Sequence, residues 1–81
     1  MFNRIKNVKP LSDMVLYIEF FDGSIKHYDV KPLLNKWETF KDLTQNDLFK
    51  LVKIDTGGYA VIWNDYIDLS CNELYNNGIN V

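Results

Sequence analysis

Two runs rich in β-branched and aromatic residues, Val15 to Phe21 and Ser24 to Tyr28, meet at Asp22-Gly23, and this junction constrains the fold more than any other feature. An Asp-Gly pair accepts the positive φ angles of a two-residue type I′ loop, whose twist matches that of the strands it joins. The segment predicts a β-hairpin. A two-residue loop sets Phe21 opposite Ser24, Phe20 opposite Ile25, Glu19 opposite Lys26, Ile18 opposite His27 and Tyr17 opposite Tyr28. Side chains alternate along a strand, so Leu16, Ile18, Phe20 and Ile25 then line one face, and Val15, Tyr17, Glu19, Phe21, Lys26 and Tyr28 line the other. The first face reads as core. The second sets the rings of Tyr17, Phe21 and Tyr28 around a Glu19 to Lys26 ion pair, a surface to be covered by a helix, by another subunit or by water.

A second hairpin is predicted from Leu51 to Trp63. Gly57-Gly58 supplies its turn and sets Ile54 opposite Val61 and Val52 opposite Trp63, a buried stripe backed by the half-polar Lys53, Asp55, Ala60 and Ile62. Arg4 to Leu11 adds a further strand, at an edge, because Pro10 has no amide hydrogen to donate. Between the hairpins Leu33, Leu34, Trp37, Phe40, Leu43, Leu48 and Phe49 recur at spacings nearer to helical turns than to alternation. Short helices and turns are expected there, one of them running from an N-cap at Thr44 to about Lys50. Ser70-Cys71-Asn72-Glu73 fits a capping box, which predicts a final helix from Cys71 to about Asn76 that stops at Gly78.

Size and charge bound the function. Eighty-one residues, 47% hydrophobic and 25% charged, make one globular domain, residues 1 to 81. Such a chain buries roughly 60 to 65% of its unfolded surface, enough for one small core and too little for two lobes around a deep cleft. Nine basic against eleven acidic side chains give a net charge of -2, the wrong sign for tracking phosphates along a duplex. Direct nucleic-acid binding is therefore not the first expectation; its route would be Arg4, Lys6 and Lys9 beside exposed rings. Charge is also uneven: residues 1 to 53 hold nine bases and seven acids, and residues 54 to 81 hold four acids and no base. The lone thiol, Cys71, cannot close an internal disulfide, which points to a reducing, cytoplasmic setting. Neither a signal peptide nor a membrane-spanning stretch is expected.

Several constellations carry chemistry on paper. His27 and Asp29, two apart on a strand, share a face and could orient an imidazole for acid-base work, although with one His and one Cys a metal would need further carboxylates or a second subunit. The bland reading makes Asp29 an acceptor of backbone amides. Asp65 and Asp68 beside Trp63 and Tyr66 are the raw material of a hydrolase site; read as turn chemistry, Asn64-Asp65 forms a tight turn and Asp68 bonds amides ahead of the last helix. Cys71 at a helix start could favour a thiolate, and by default it is a small half-buried helix residue. No phosphate-cradling glycine loop is present, and no cofactor or metal is expected. Twelve aromatics make 15% of the chain, too many for all to be internal, so Tyr17, Phe21 and Tyr28 become the candidate interface.

The order of these residues resembles a small bacterial family, domain of unknown function 2442. The likeness rests on Val8-Lys9-Pro10-Leu11, Phe20-Phe21-Asp22-Gly23, Tyr28-Asp29, Leu33-Leu34, Phe40-Lys41-Asp42-Leu43, Ile54-Asp55, Trp63-Asn64-Asp65, Ile67-Asp68-Leu69 and Leu74-Tyr75, where Asn64 replaces the proline that often follows the tryptophan. The resemblance implies a compact α+β domain of antiparallel hairpins with short helices between and after them, in agreement with the residue reading. It implies no established activity. Some relatives carry a helix-turn-helix extension, which is not expected in a chain ending at Asn80-Val81; others are encoded beside a second small protein, which suggests a toxin-antitoxin-like pair. The combined expectation is a cytoplasmic protein-protein interaction or regulatory module that meets itself or another small protein. A small hydrolase using Asp65 and Asp68 or His27 is the alternative.

Overall fold

The first hairpin forms where Asp22-Gly23 places it, between β2 (Val15–Phe20) and β3 (Ile25–Asp29). A computed structural model describes residues 3 to 81, and Met1 and Phe2 lie outside the described residues. The loop has three residues rather than two. The Gly23 amide donates to the Phe20 carbonyl at 3.0 Å and the Phe20 amide to the Ser24 carbonyl at 2.9 Å, so Phe21, Asp22 and Gly23 make a turn with Gly23 alone at positive φ, 93°. This is the type I turn closed by a left-handed glycine, the next commonest hairpin solution. The Asp22 side chain accepts from the Ser24 amide at 2.8 Å and holds the turn.

One extra loop residue shifts the whole ladder. Glu19 faces Ile25, Ile18 faces Lys26, Tyr17 faces His27 and Leu16 faces Tyr28, so every β3 side chain sits on the face opposite to that expected. The expected Glu19 to Lys26 pair does not exist. Glu19 instead meets Lys6 at 3.9 Å, and Lys26 turns into the core.

The remaining elements are β1 (Ile5–Pro10), α1 (Lys31–Lys36), 3-10 segments over Glu38–Thr44 and Leu48–Leu51, β4 (Lys53–Ile54), β5 (Ala60–Asn64), β6 (Ile67–Ser70), α2 (Cys71–Asn77) and β7 (Ile79–Asn80). The strands make two antiparallel sheets, one ordered β1-β2-β3-β7 and one ordered β4-β5-β6. This is an α+β domain of the expected class. β1 lies at a sheet edge with Pro10 at its end, and the second hairpin keeps the expected register, Ile54 to Val61 and Lys53 to Ile62. Gly58, at φ 81°, permits the contact that joins the sheets: the Ile5 amide donates to the Gly58 carbonyl at 2.8 Å, and a Cβ on Gly58 would stand 3.1 Å from the Ile5 carbonyl oxygen.

One local expectation is corrected. Thr44 is not an N-cap; it closes a 3-10 segment, its hydroxyl donating to the Lys41 carbonyl, and Asp47 behind it is left-handed. Two elements were not anticipated: Ile67 to Ser70 is a strand, and Ile79 to Asn80, just past the expected helix stop at Gly78, adds a short fourth strand beside β3. Ser70 does cap α2, accepting from the Glu73 amide at 3.1 Å.

Both sheets and α2 close on one core. Leu16, Ile18, Phe20, Val30, Val61 and Leu74 are fully buried in it, each contributing roughly 1.5 to 3 kcal/mol. The middle segment packs there too. Phe49 stacks on Trp63 at 6.1 Å, Phe40 meets it edge-on at 6.3 Å, and the indole nitrogen donates to the Phe49 carbonyl at 3.0 Å. The middle segment therefore adds to the core instead of roofing the reverse side of the first hairpin.

Candidate interaction face

The shifted register decides what each face of the four-stranded sheet carries. Inward lie Leu16 with Tyr28 and Ile18 with Lys26. Outward, one row crosses all four strands: Lys9 beside Tyr17, Tyr17 beside His27, and His27 beside Ile79. A second outward row runs Asn7, Glu19 and Ile25. Tyr17, Ile25 and His27 are half-buried and Lys9 and Ile79 exposed, so no residue of these rows reaches the burial seen on the inner face. The Lys9 ammonium lies 5.5 Å from the Tyr17 ring centre, and the Tyr17 and His27 rings are 6.1 Å apart.

The three rings expected on one face are separated. Tyr28 is 6% exposed on the inner face, where its hydroxyl donates to Glu73 Oε2 at 2.7 Å. Burial, followed by the Glu73 carboxylate, pushes its pKa well above the ordinary phenol value. Tyr17 remains on the outer face. Phe21, 59% exposed, sits in the loop under the Arg4 guanidinium at 5.3 Å.

With Lys26 over Tyr75 at 4.4 Å and Lys36 over Trp37 at 5.8 Å, four cations lie over rings among the described residues. The aromatic surplus is thus partly capped by the chain's own cations. The three basic residues weighed for nucleic acid also have partners within the chain, Arg4 and Lys9 on rings and Lys6 on the Glu19 carboxylate.

Of the acid-base candidates, His27 and Asp29 do share the outer face and line one small hollow of about 240 Å³ with Pro32 and Ile79, whereas neither Asp65 nor Asp68 lines it. Asp29 accepts from the Lys31 amide and pairs with Lys31 Nζ, both at 3.0 Å, and the amide hydrogen bond first of all holds its carboxyl below the usual range. Asp65 is exposed in the β5 to β6 turn, which Asn64 organises by accepting from the Tyr66 and Ile67 amides. Asp68 is exposed on β6, and Ser70, not Asp68, satisfies the helix amide. The cavity that Asp68 lines includes neither Asp65 nor His27. Cys71 is buried with its thiol 3.4 Å from the Asn3 carbonyl, and burial, then the Asp22 charge, pushes its pKa up, away from thiolate chemistry. Among the described residues no three His, Cys, Asp or Glu side chains gather as a metal site.

Two hollows were not foreseen from the sequence. One, of about 430 Å³, lies between the α1 to 3-10 segment and the β6 to α2 segment. Trp37 and Tyr66, 54% and 80% exposed, stand at it with Asp68, Glu73 and Lys36, and its floor is Leu33, Phe40 and Leu69. The other, about 490 Å³, is flanked by Leu11, Met14, Leu43 and Phe49. Its walls hold Asp13, Met14 and Asp47, all at positive φ. A large ring at a turn tip, as Tyr66 is, was the available signal for the first; nothing in residue spacing announced its union with Trp37.

A family model described as a protein of unknown function (DUF2442) matches residues 5 to 80. No curated protein and no solved structure gives a significant match.

Proposed function

Starting from a chain that belongs to the DUF2442 family, we propose that the domain is a cytoplasmic protein-binding module whose contact surface is the outer face of the four-stranded sheet. The observation that carries this reading is the row of Lys9, Tyr17, His27 and Ile79, which crosses all four strands without being buried by the chain itself. Aromatic and aliphatic groups bordered by charge are the composition of interface centres, and a ring with few rotatable bonds costs little entropy to dock. Ile25 continues the apolar part beside the row, and Lys6, Glu19 and Asp29 supply a mixed-charge rim. The partner is a second small protein, as a toxin-antitoxin-like pairing would provide, or in the homomeric form a second copy of this chain. The unpaired, buried thiol of Cys71 suits a reducing compartment, and among the described residues no helix is long and apolar enough to cross a membrane.

Light scattering over a concentration series tests the homomeric form, and co-purification with an identified, stoichiometric partner tests the heteromeric one. Each is run with wild type and with Tyr17→Glu, the latter checked for native circular dichroism. The reading expects association that Tyr17→Glu abolishes. Association unchanged by that substitution, or a strict monomer that retains no stoichiometric partner, refutes it.

A further inference from the structure

The hollow between Trp37 and Tyr66 lies outside the sheet face and shares no residue with its central row. Its walls combine large exposed rings with carboxylates. Trp37 comes from the turn after α1, Tyr66 from the turn between β5 and β6, Asp68 from β6 and Glu73 from the first turn of α2. The Glu73 carboxylate is fixed by the hydrogen bond to Oε2 from Tyr28, and a carboxylate can accept from several donors at once. The one cation at the hollow, Lys36, belongs to the wall, and its ammonium already lies 5.8 Å from the Trp37 ring centre.

We infer that this hollow receives a single organic cation, the guanidinium or ammonium head of a basic side chain, between the rings of Trp37 and Tyr66 and against the carboxylates of Asp68 and Glu73. Charge complementarity sets the class of ligand. Residues 54 to 81 contain four acids and no base, and two of those acids line the hollow, with Asp65 next to Tyr66. An indole face attracts guanidinium and ammonium groups within about 6 Å, more strongly once water is excluded, and Lys36 occupies that position at its outer limit. Lys36 is an internal competitor. The apolar floor of Leu69 and its neighbours accommodates the methylene stem behind the charged head.

The test follows the two tryptophan indole N–H signals by ¹H–¹⁵N NMR in the full chain. Trp37 is exposed at the hollow, whereas the Trp63 N–H is buried on the Phe49 carbonyl and serves as the internal control. The probes are blocked arginine (N-acetyl-arginine N-methylamide), its neutral isostere made from citrulline, and putrescine; the first and third separate a protein side chain from a free amine as the source of the cation. The expected result is a saturable shift at Trp37 with one or both cations, with a midpoint on the order of 1 to 10 mM, no saturation with the citrulline compound, and Trp63 unmoved. Asp68→Asn should weaken binding about threefold, the scale of one exposed ion pair, and Lys36→Met, by removing the competitor, should tighten it about two- to fivefold. No saturable shift up to about 50 mM, an equal response to the citrulline compound, or an affinity that neither substitution moves overturns the assignment. Both substituted positions are on the solvent side, so loss of fold does not confound the reading.

Discussion

Adjacent residues on β3 give the sharpest test of the three-residue loop. In the observed register Tyr28 points into the core and His27 points out; in the two-residue register their places are exchanged. Tyr28→Ala removes a ring that is 6% exposed and a hydroxyl that donates to Glu73 at 2.7 Å. Large aromatic truncations in a core cost about 3 to 5 kcal/mol. Glu73 is half-exposed, so water replaces much of the lost hydrogen bond, and the estimate stays at about 3 to 4 kcal/mol. His27→Ala removes a half-buried outer-face ring beside Tyr17 and Ile79 and should cost less than about 1 kcal/mol. At roughly 0.05 to 0.15 kcal/mol per residue the whole domain has about 4 to 12 kcal/mol, so Tyr28→Ala leaves it marginal and His27→Ala leaves it sound. Urea titration followed by tryptophan fluorescence, in which buried Trp63 is the indole that gains exposure on unfolding, reads the difference. With a slope of about 1 to 1.5 kcal/mol per molar, the midpoint should fall by roughly 2 to 4 M for the first variant and by less than about 1 M for the second. Equal losses, or a larger loss from His27→Ala, would refute the register and with it the outward row of the proposed contact face.

Further outcomes follow from single contacts. Gly58→Ala combines a φ of 81° with a Cβ 3.1 Å from the Ile5 carbonyl oxygen, so it should cost more than the roughly 1 to 2 kcal/mol of a left-handed alanine alone; calorimetry showing no fall in Tm would remove the claim that this turn joins the sheets. The Cys71 thiol, buried and with its pKa raised, should react with a disulfide reagent near neutral pH at least about tenfold more slowly than a free thiol and reach the free rate in urea; fast labelling of the folded chain would contradict its burial. Asp22 and Asp29 are held below the usual carboxylate range, first by the Ser24 and Lys31 amides respectively. Their folded pKa values lie below the unfolded ones, so their stabilisation is complete above about pH 4 and lost as pH falls below it; thermal melts should show this, with a flatter acid limb in an Asp22→Asn, Asp29→Asn double variant.

What the sequence revealed, and what it concealed, divides along the range of the interactions involved. Asp22-Gly23 and Gly57-Gly58 announce two hairpins because a turn is local chemistry, and Ser70 with Glu73 announces α2 for the same reason. Loop length at Asp22-Gly23 was not legible, since a two-residue loop and a type I turn closed by glycine can both end on Gly. The choice is sustained by distant partners of β3: Lys26 Nζ donating to the Tyr75 carbonyl at 2.6 Å, and the Tyr28 hydroxyl donating to Glu73 at 2.7 Å. β6 was concealed because Ile67-Asp68-Leu69-Ser70 alternates for only four residues and its aspartate reads as turn chemistry, and β7 because two residues have no period at all. The hollow at Trp37 and Tyr66 was concealed more deeply, because its walls come from separate elements that only the closed core brings together.

The loop that shifts the register also determines both candidate surfaces. By turning inward, Tyr28 reaches Glu73 in the first turn of α2 while Lys26 reaches the Tyr75 carbonyl in its last turn, so adjacent inward positions of β3 grip the two ends of one short helix. A cation at the carboxyl end of a helix and a donor on its first-turn carboxylate both suit the helix dipole and the polar groups they satisfy. That grip sets where Glu73 stands in the hollow, and the same register sends Ile25 and His27 outward to complete the sheet face. The dependence runs one way. A change at Gly23 that slips the ladder should lose both surfaces together, whereas Lys26→Met, which releases only the end of α2, should disturb the hollow and leave the outward row intact. Joint loss of cation binding and partner binding in the Gly23 variant, with loss of cation binding alone in Lys26→Met, would therefore place the coupling in the hairpin loop, and loss of both in Lys26→Met would place it in α2.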